Sequence, residues 1–275
     1  MRYAWDLTFD YLHGSRMGRG PQGWIARYLL HRLRQWDVIS ANRVDYFIAN
    51  SRHTAYRIWR CYRRQATVIY PPVNVERFRL QEQKEEFYLT VSRLVSYKKV
   101  SLIVEAFNQM GYPLVVIGNG AELETLRKLA RPNVQVLGFQ PDAAVEQYMA
   151  RAKAFVYAAC EDFGIALVEA QACGTPVIAY GAGGALETVR DIRKHPDSGT
   201  GLFFLDQSPT ALIEAVKAFE ALKGKWHPQQ CRDNAAKFAP EVFGESYLRF
   251  LESCDRDDPS QRFGNKFQFP ESYSL

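Results

Sequence analysis

Glu161-Asp162-Phe163-Gly164-Ile165-Ala166-Leu167-Val168-Glu169-Ala170-Gln171-Ala172-Cys173-Gly174-Thr175-Pro176 is the stretch on which the fold turns. The apolar run Ala154–Ala158 before it reads as a short buried strand. From Ile165 the pattern becomes helical, with Ile165, Leu167, Val168 and Ala172 on one broad apolar face. Gly174 and then Pro176 stop that helix, and Val177–Tyr180 makes the next strand. The order is strand, loop, helix, strand. One carboxylate, Glu161, lies in the loop and another, Glu169, lies on the helix. Gly164 lets the backbone come close to a ligand.

Such a loop has a chemical use. A helix N-terminus carries unpaired N–H groups and partial positive charge, which favour phosphate or sugar oxygens. In an open α/β sheet the loop lies at the carboxyl ends of the strands, where ligands bind. Glu161 can accept hydrogen bonds from hydroxyls there. The plainer alternative is that Glu161 caps the helix and Glu169 is a solvated surface charge.

Working outward, residues 87–205 alternate strand and helix. Strands are expected at Phe87–Val91, Leu114–Ile117, Val134–Leu137, Phe155–Ala158, Val177–Tyr180 and Gly201–Phe204, with helices between them. The pattern predicts an α/β fold, a parallel sheet covered by helices on both faces. Before it, residues 1–20 read as loop, Pro21–Trp36 as a helix, Asp45–Ala49 and Thr67–Tyr70 as strands, and His53–Tyr62 as a helix capped by Asn50-Ser51. Pro71-Pro72 breaks regular structure. The expected division is a partial N-terminal Rossmann-like domain over 1–70, a hinge over 71–86 and a complete C-terminal Rossmann-like domain over 87–238. A helix over 239–254 returns toward the N-terminal part, and a polar, disordered tail covers 255–275.

Composition narrows the function classes. The chain has 275 residues, 47% hydrophobic, enough for a sizeable core. No apolar run approaches the ~18 residues of a membrane span, and no signal pattern opens the chain. Cys61, Cys160, Cys173, Cys231 and Cys254 are odd in number and form no Cys-x-x-Cys, which fits a reducing cytoplasm rather than a disulfide framework or zinc site. The net charge of +5 is uneven. Residues 1–70 hold 12 Arg, no Lys and 4 Asp, whereas the remainder holds 23 basic and 26 acidic residues. An Arg-rich front suits an anionic membrane, a lipid-linked diphosphate or nucleic acid; a solvated basic face is the alternative.

Arg93 and Lys98, in Ser92-Arg93-Leu94-Val95-Ser96-Tyr97-Lys98, follow the first strand of the main sheet. They therefore sit at the carboxyl-end rim with Glu161, as an arginine fork and a mobile lysine charge suited to a diphosphate. Helix-flanking surface charge is the bland alternative. Gly118-Asn119-Gly120 ends the second strand. Leu123 occupies the third glycine position of a dinucleotide fingerprint, so a tight turn facing a nucleotide is expected rather than an NAD site. Gly183-Gly184, in Tyr180–Thr188, is a second glycine turn that can offer N–H groups near phosphate, with Glu187 as an acceptor. Asp255-Arg256-Asp257 has metal-ligand spacing but lies in the expected tail. No His cluster or nucleophilic triad is readable, and no metal is expected.

Together these motifs resemble the retaining family-4 glycosyltransferases of the GT-B fold. The resemblance rests on Ser92-Arg93-Leu94 with Lys98, Ile117-Gly118-Asn119-Gly120, Asn133–Gly138, the Glu161/Glu169 pair and Gly183-Gly184-Ala185-Leu186-Glu187. The wording of the Glu161 and Gly183 motifs is similar to the mannosyltransferase branch that builds surface polysaccharides. The resemblance implies a nucleotide-sugar donor, GDP-mannose favoured, and no cofactor or metal. Arg93 and Lys98 would hold the diphosphate, Glu161 with the backbone at Phe163, Gly164 and Ile165 the donor sugar, and Glu169 the ribose. The acceptor would be a saccharide or lipid-linked saccharide, on the cytoplasmic side and peripheral to the membrane, with no role for nucleic acid. Family members carry a full Rossmann-like domain ahead of the segment matching Met1–Asp6, so about 100 residues, a small domain's worth, are expected to be absent. The chain is accordingly expected to bind donor and to turn over poorly, and a non-catalytic nucleotide-sugar-binding remnant is the alternative. Apolar surface and an open sheet edge are expected over 40–70.

Overall fold

The computed structural model describes residues 5, 6, 20–222 and 225–256. Of the loop expected over 1–20, all but residues 5, 6 and 20 lies outside the described residues. The tail expected over 255–275 lies outside them from residue 257 on, and its first two residues, Asp255 and Arg256, instead end the final helix.

Six strands form the main sheet: β3 (Tyr88–Val91), β4 (Leu114–Ile117), β5 (Val134–Gly138), β6 (Ala154–Tyr157), β7 (Val177–Tyr180) and β8 (Gly201–Phe204). All pair in parallel, in the order β5-β4-β3-β6-β7-β8. β4 and β6 are buried at every residue. That is why these strands read as unbroken apolar runs rather than as alternating patterns. The helices between them are α3 (Val100–Met110), α4 (Leu123–Leu129), α5 (Asp142–Arg151), α6 (Ile165–Ala172) and the short α7 (Ala185–Thr188). After β8 come α8 (Pro209–Ala221), α9 (Pro228–Ala236) and α10 (Pro240–Arg256). Ser208 caps α8 by accepting from the Ala211 N–H, with Pro209 in its first turn.

Two apolar cores lie on the two faces of the sheet. One gathers Leu89, Phe155, Phe163, Leu167, Val168 and Phe238, and the other Val104, Phe107, Leu126, Leu212 and Val216. The α/β expectation therefore holds, with a Rossmann-like strand order. Strand boundaries in the main sheet differ from expectation by one residue at most at each end, the usual range at fraying ends. Asp142 is the first residue of α5, and Pro141 takes the cap position.

The strand order reverses between β3 and β6. Their ladder is confined to Tyr88↔Ala154 and Leu89↔Phe155, whereas β3 and β4 pair over four residues. A reversal of this kind leaves a crevice at the carboxyl ends, because the loops after the two strands leave in opposite directions.

Ahead of the sheet, α1 (Gly20–Ala41) precedes a two-stranded parallel sheet of β1 (Ile48–Ala49) and β2 (Thr67–Val68), with α2 (Arg52–Tyr62) between them. Ser51 caps α2 through the Thr54 N–H at 2.9 Å. α10 returns to this sheet, where the Tyr46 hydroxyl donates to the Cys254 carbonyl at 3.2 Å. Apolar surface is exposed here, as expected, but it extends beyond residues 40–70. Val44 and Ile48 are exposed, and Trp24, Ile25, Tyr28, Leu29, Trp36 and Ile39 of α1 are each more than half exposed. At 100° per residue these six fall on one side of α1.

A cavity of about 350 Å³ lies under the opposite, amino ends of the strands, lined by residues that include Lys84, Lys153, Pro176 and Trp226. Lys84 donates there to the Ala150 and Cys173 carbonyls at 2.7 and 3.0 Å and to Thr175 Oγ1 at 2.8 Å. Its ammonium thus closes the ends of α5 and α6. Burial pulls its pKa down to about 8.

Candidate functional site

The loops leaving β3 and β6 flank the crevice, and each carries a residue singled out in the sequence. After β3, a turn over Ser96–Lys98 brings Lys98 back over the sheet. After β6, the loop carries Glu161 toward it. Lys98 Nζ donates to Glu161 Oε1. The Tyr157 hydroxyl, at the last residue of β6, lies 3.0 Å from Lys98 Nζ and 2.9 Å from the same Glu161 oxygen. Lys98 and Glu161 are each 16% exposed, so the pair is shielded yet reachable from the crevice. Arg93 leaves the same β3 loop and is exposed at the rim.

Glu161 does not cap α6. Gly164 is the N-cap, with φ 89° and ψ 58°, a left-handed conformation that favours glycine, and as a glycine it makes no side-chain cap bond. The α6 N-terminus therefore keeps its polarity for a ligand. Phe163 turns inward, 3% exposed, against Tyr70 and Phe238, leaving only its backbone to the site. Ile165 is the first helical residue and is exposed.

Glu169 is partly buried on α6. Burial holds its carboxyl above the ordinary glutamate range, opposed by Arg77 and reinforced by Asp142 and Glu146. Its charged neighbours are thus Arg77, ahead of the main sheet, and Asp142 and Glu146 on α5.

The four glycines have a role that the sequence did not display. A Cβ on Gly118 would overlap the Ser92 carbonyl, and one on Gly120 the Leu94 carbonyl. Both press against the loop that carries Arg93, whose Leu94 N–H donates to the Asn119 carbonyl at 2.9 Å. A Cβ on Gly183 would overlap the Glu161 carbonyl, and one on Gly184 the Phe163 backbone. The Gly184 N–H donates to the Glu161 carbonyl at 2.8 Å, so this N–H is engaged by the chain itself. Each glycine turn supports the neighbouring loop by close backbone approach.

Glu187 is also engaged. Its carboxylate accepts from the Arg52 and His53 N–H groups at 2.8 and 3.1 Å and from the Tyr70 hydroxyl at 3.0 Å. It thereby closes the start of α2 from across the molecule, where a negative charge is favoured. Five residues into α2, Arg57 bonds Asp162, the neighbour of Glu161, at 2.7 Å and also pairs with Asp6. Tyr157, Arg57 and Asp162 were not anticipated. Tyr157 had a signal, its place at the carboxyl end of a buried strand, whereas Arg57 is distant in sequence and had none.

The comparisons bear on the family and the fold. The GDP-mannose-dependent monoacylated alpha-(1-6)-phosphatidylinositol monomannoside mannosyltransferase of Corynebacterium glutamicum is 31% identical over 186 residues, 60% of this chain and 46% of the relative. Glycogen synthase 2 of Geobacter sulfurreducens is 30% identical over 136 residues, 46% of this chain and 28% of the relative. The chain thus spans less than half the length of either. Among solved structures, the Anabaena protein HepE, in complex with UDP and glucose, superposes with a TM-score of 0.69 at 20% identity, covering 84% of this chain and 74% of that one. The sucrose-phosphate synthase of Thermosynechococcus elongatus gives 0.66 at 23% identity, over 77% and 59%. These two likenesses carry the GT-B fold. Residues 73–238, more than half of the chain, match the family described as glycosyl transferases group 1, and the chain belongs to that family.

Proposed function

We propose that the protein transfers a hexose from a nucleotide-diphosphate sugar to a saccharide or lipid-linked acceptor, with retention and without a metal. The Lys98–Glu161 contact at the strand-order reversal carries this reading. It places a cation and a carboxylate where an open α/β sheet binds ligands. On donor arrival Lys98 exchanges Glu161 for a phosphate oxygen, Arg93 takes another, and Glu161 turns to the hydroxyls of the sugar. Glu169 binds the ribose. The acceptor hydroxyl attacks the anomeric carbon on the leaving-group side and its proton passes to the departing diphosphate. Arg93, Lys98 and the α6 N-terminus stabilise the charge that develops there.

GDP-mannose is favoured as donor by the wording of the Glu161 and Gly183 motifs and by the name of the corynebacterial relative. The name of the Geobacter relative keeps a glucosyl donor in the test. Among the described residues no helix is long and apolar enough to cross a membrane. The Arg-rich front and the exposed face of α1 support work at an anionic membrane surface on the cytoplasmic side, where a lipid-linked acceptor is reached.

Titration of the full chain with UDP, GDP, UDP-glucose and GDP-mannose, followed by hydrolysis and transfer assays, tests the proposal. Binding that Arg93→Ala weakens at least about tenfold supports it. Binding without turnover leaves a nucleotide-sugar-binding module, and no binding of any of the four ends the donor-site reading.

A further inference from the structure

We propose that Arg57 is a positioning residue for Glu161, acting through Asp162, so that handling of the donor sugar depends on the segment ahead of the main sheet. The proposal rests on the donor-site reading above. α2 touches both loops that frame Glu161. Arg57, 13% exposed, holds the carboxylate of Asp162 at 2.7 Å, and Asp6 occupies another part of the same guanidinium. At the start of α2, the Arg52 and His53 N–H groups hold Glu187, which lies on α7 just after the Gly183-Gly184 turn. The two loops are joined to each other by the Gly184 N–H and the Glu161 carbonyl, and Glu161 and Gly183 form a parallel bridge.

The main chain at Glu161 is therefore held on two sides. The glycine turn holds its carbonyl, and Arg57 holds the side chain next to it. A carboxylate that must leave Lys98 and meet a sugar hydroxyl needs its backbone fixed while its own torsions change, because small displacements are costly in a preorganised site. A fork held between two carboxylates supplies that rigidity better than a lysine would. The Lys98–Glu161 contact cannot substitute, since the donor displaces it.

The test separates positioning from simple stapling. Titration of the full chain with UDP, GDP, UDP-glucose and GDP-mannose gives, for each pair, the ratio of sugar-nucleotide to diphosphate affinity, which isolates the share due to the sugar. Arg57→Ala is expected to lower that ratio about fivefold, to leave diphosphate affinity within about twofold, and to have no further effect on the ratio in a Glu161→Gln background. Asp162→Asn, which leaves Arg57 paired with Asp6, is expected to give the same loss and serves if Arg57→Ala does not fold. Equal weakening of diphosphate and sugar nucleotide overturns the inference, as does an unchanged ratio or a loss that persists with Glu161→Gln. A wild-type chain that binds the diphosphates while both variants keep its ratio sinks this inference alone. One that binds none of the four sinks the donor-site reading as well.

Discussion

Lys98 and Glu161 lie 63 residues apart in the chain and meet directly, with the Tyr157 hydroxyl touching both. Two loops leaving adjacent strands in opposite directions create the meeting. Lys98→Ala leaves a shielded carboxylate without its cation. The expected outcome is a stability loss of about 1–3 kcal/mol, because a partly buried charge loses its partner, and weakening of diphosphate binding by about tenfold or more. Thermal melts and titration calorimetry measure the two separately. A variant that melts lower yet binds UDP and GDP as tightly as the wild type would remove Lys98 from the diphosphate site.

Glu187→Ala is expected to cost about 1–2 kcal/mol, since α2 loses a cap at its first N–H groups and Tyr70 loses an acceptor. Glu187→Gln keeps the acceptor oxygen and should recover about half of that loss. Chemical denaturation with fluorescence detection suits the measurement. If Glu187→Ala unfolds with the wild-type midpoint, the carboxylate is not the closure of α2.

Gly184→Ala tests space rather than backbone strain. Its φ of −63° is open to any residue, but the added methyl would overlap the Phe163 backbone, which cannot swing aside. A loss of about 2–4 kcal/mol or failure to fold is expected. Gly244→Ala, with nothing within 4 Å, is the control and should stay near the wild type. Comparable melting temperatures for the two variants would show that the loop after β6 is not packed this way.

Glu169 gives a pH-dependent outcome. Burial raises its carboxyl above 4.5, so the folded chain retains a proton that the unfolded chain has released. Stability is then highest near the lower edge of that window and falls as pH rises through the folded value. Glu169→Gln should melt higher than wild type at pH 8, and the difference should close as pH falls toward 4.5. The same variant should bind UDP and GDP about tenfold more weakly, because the ribose hydroxyls lose a charged acceptor. Melts that run parallel across the range would contradict the sign.

The exposed face of α1 should bring the protein to anionic membranes. Co-sedimentation with vesicles containing anionic lipid is expected to fall as salt rises. It should also drop about tenfold when Trp24 and Trp36 are both replaced by Ser, since apolar area and charge act together in interfacial binding. Recovery in the supernatant at every lipid composition would count against a membrane-facing role.

The main sheet was legible because parallel strands buried on both faces leave apolar runs such as Val177–Tyr180, closed by Gly and Pro. Lys98 and Glu161 were legible as rim residues for the same reason, since a residue just beyond a strand's carboxyl end has only one edge to occupy. What stayed hidden depends on contacts between distant segments. Nothing near Arg57 in the sequence announces Asp162, 105 positions later. The glycine turns were visible as turns, but the loops they press against lie on neighbouring strands. The extent of α1 was underestimated because Asp37 and Ser40 interrupt its apolar pattern, whereas Asp37 accepts from the Tyr62 hydroxyl at 2.5 Å and from Trp5 Nε1 at 2.8 Å.

The hollow beneath the amino ends of the strands has a practical bearing on inhibitor discovery. It is lined by Phe219, Trp226 and Pro228, and it lies across the sheet from Lys98 and Glu161. Fragments selected for their fit to it would not compete with nucleotide. Their leverage would come instead through the ends of α5 and α6, which Lys84 ties together at its wall, so such compounds should be ranked by their effect on loop order rather than by displacement of a donor analogue.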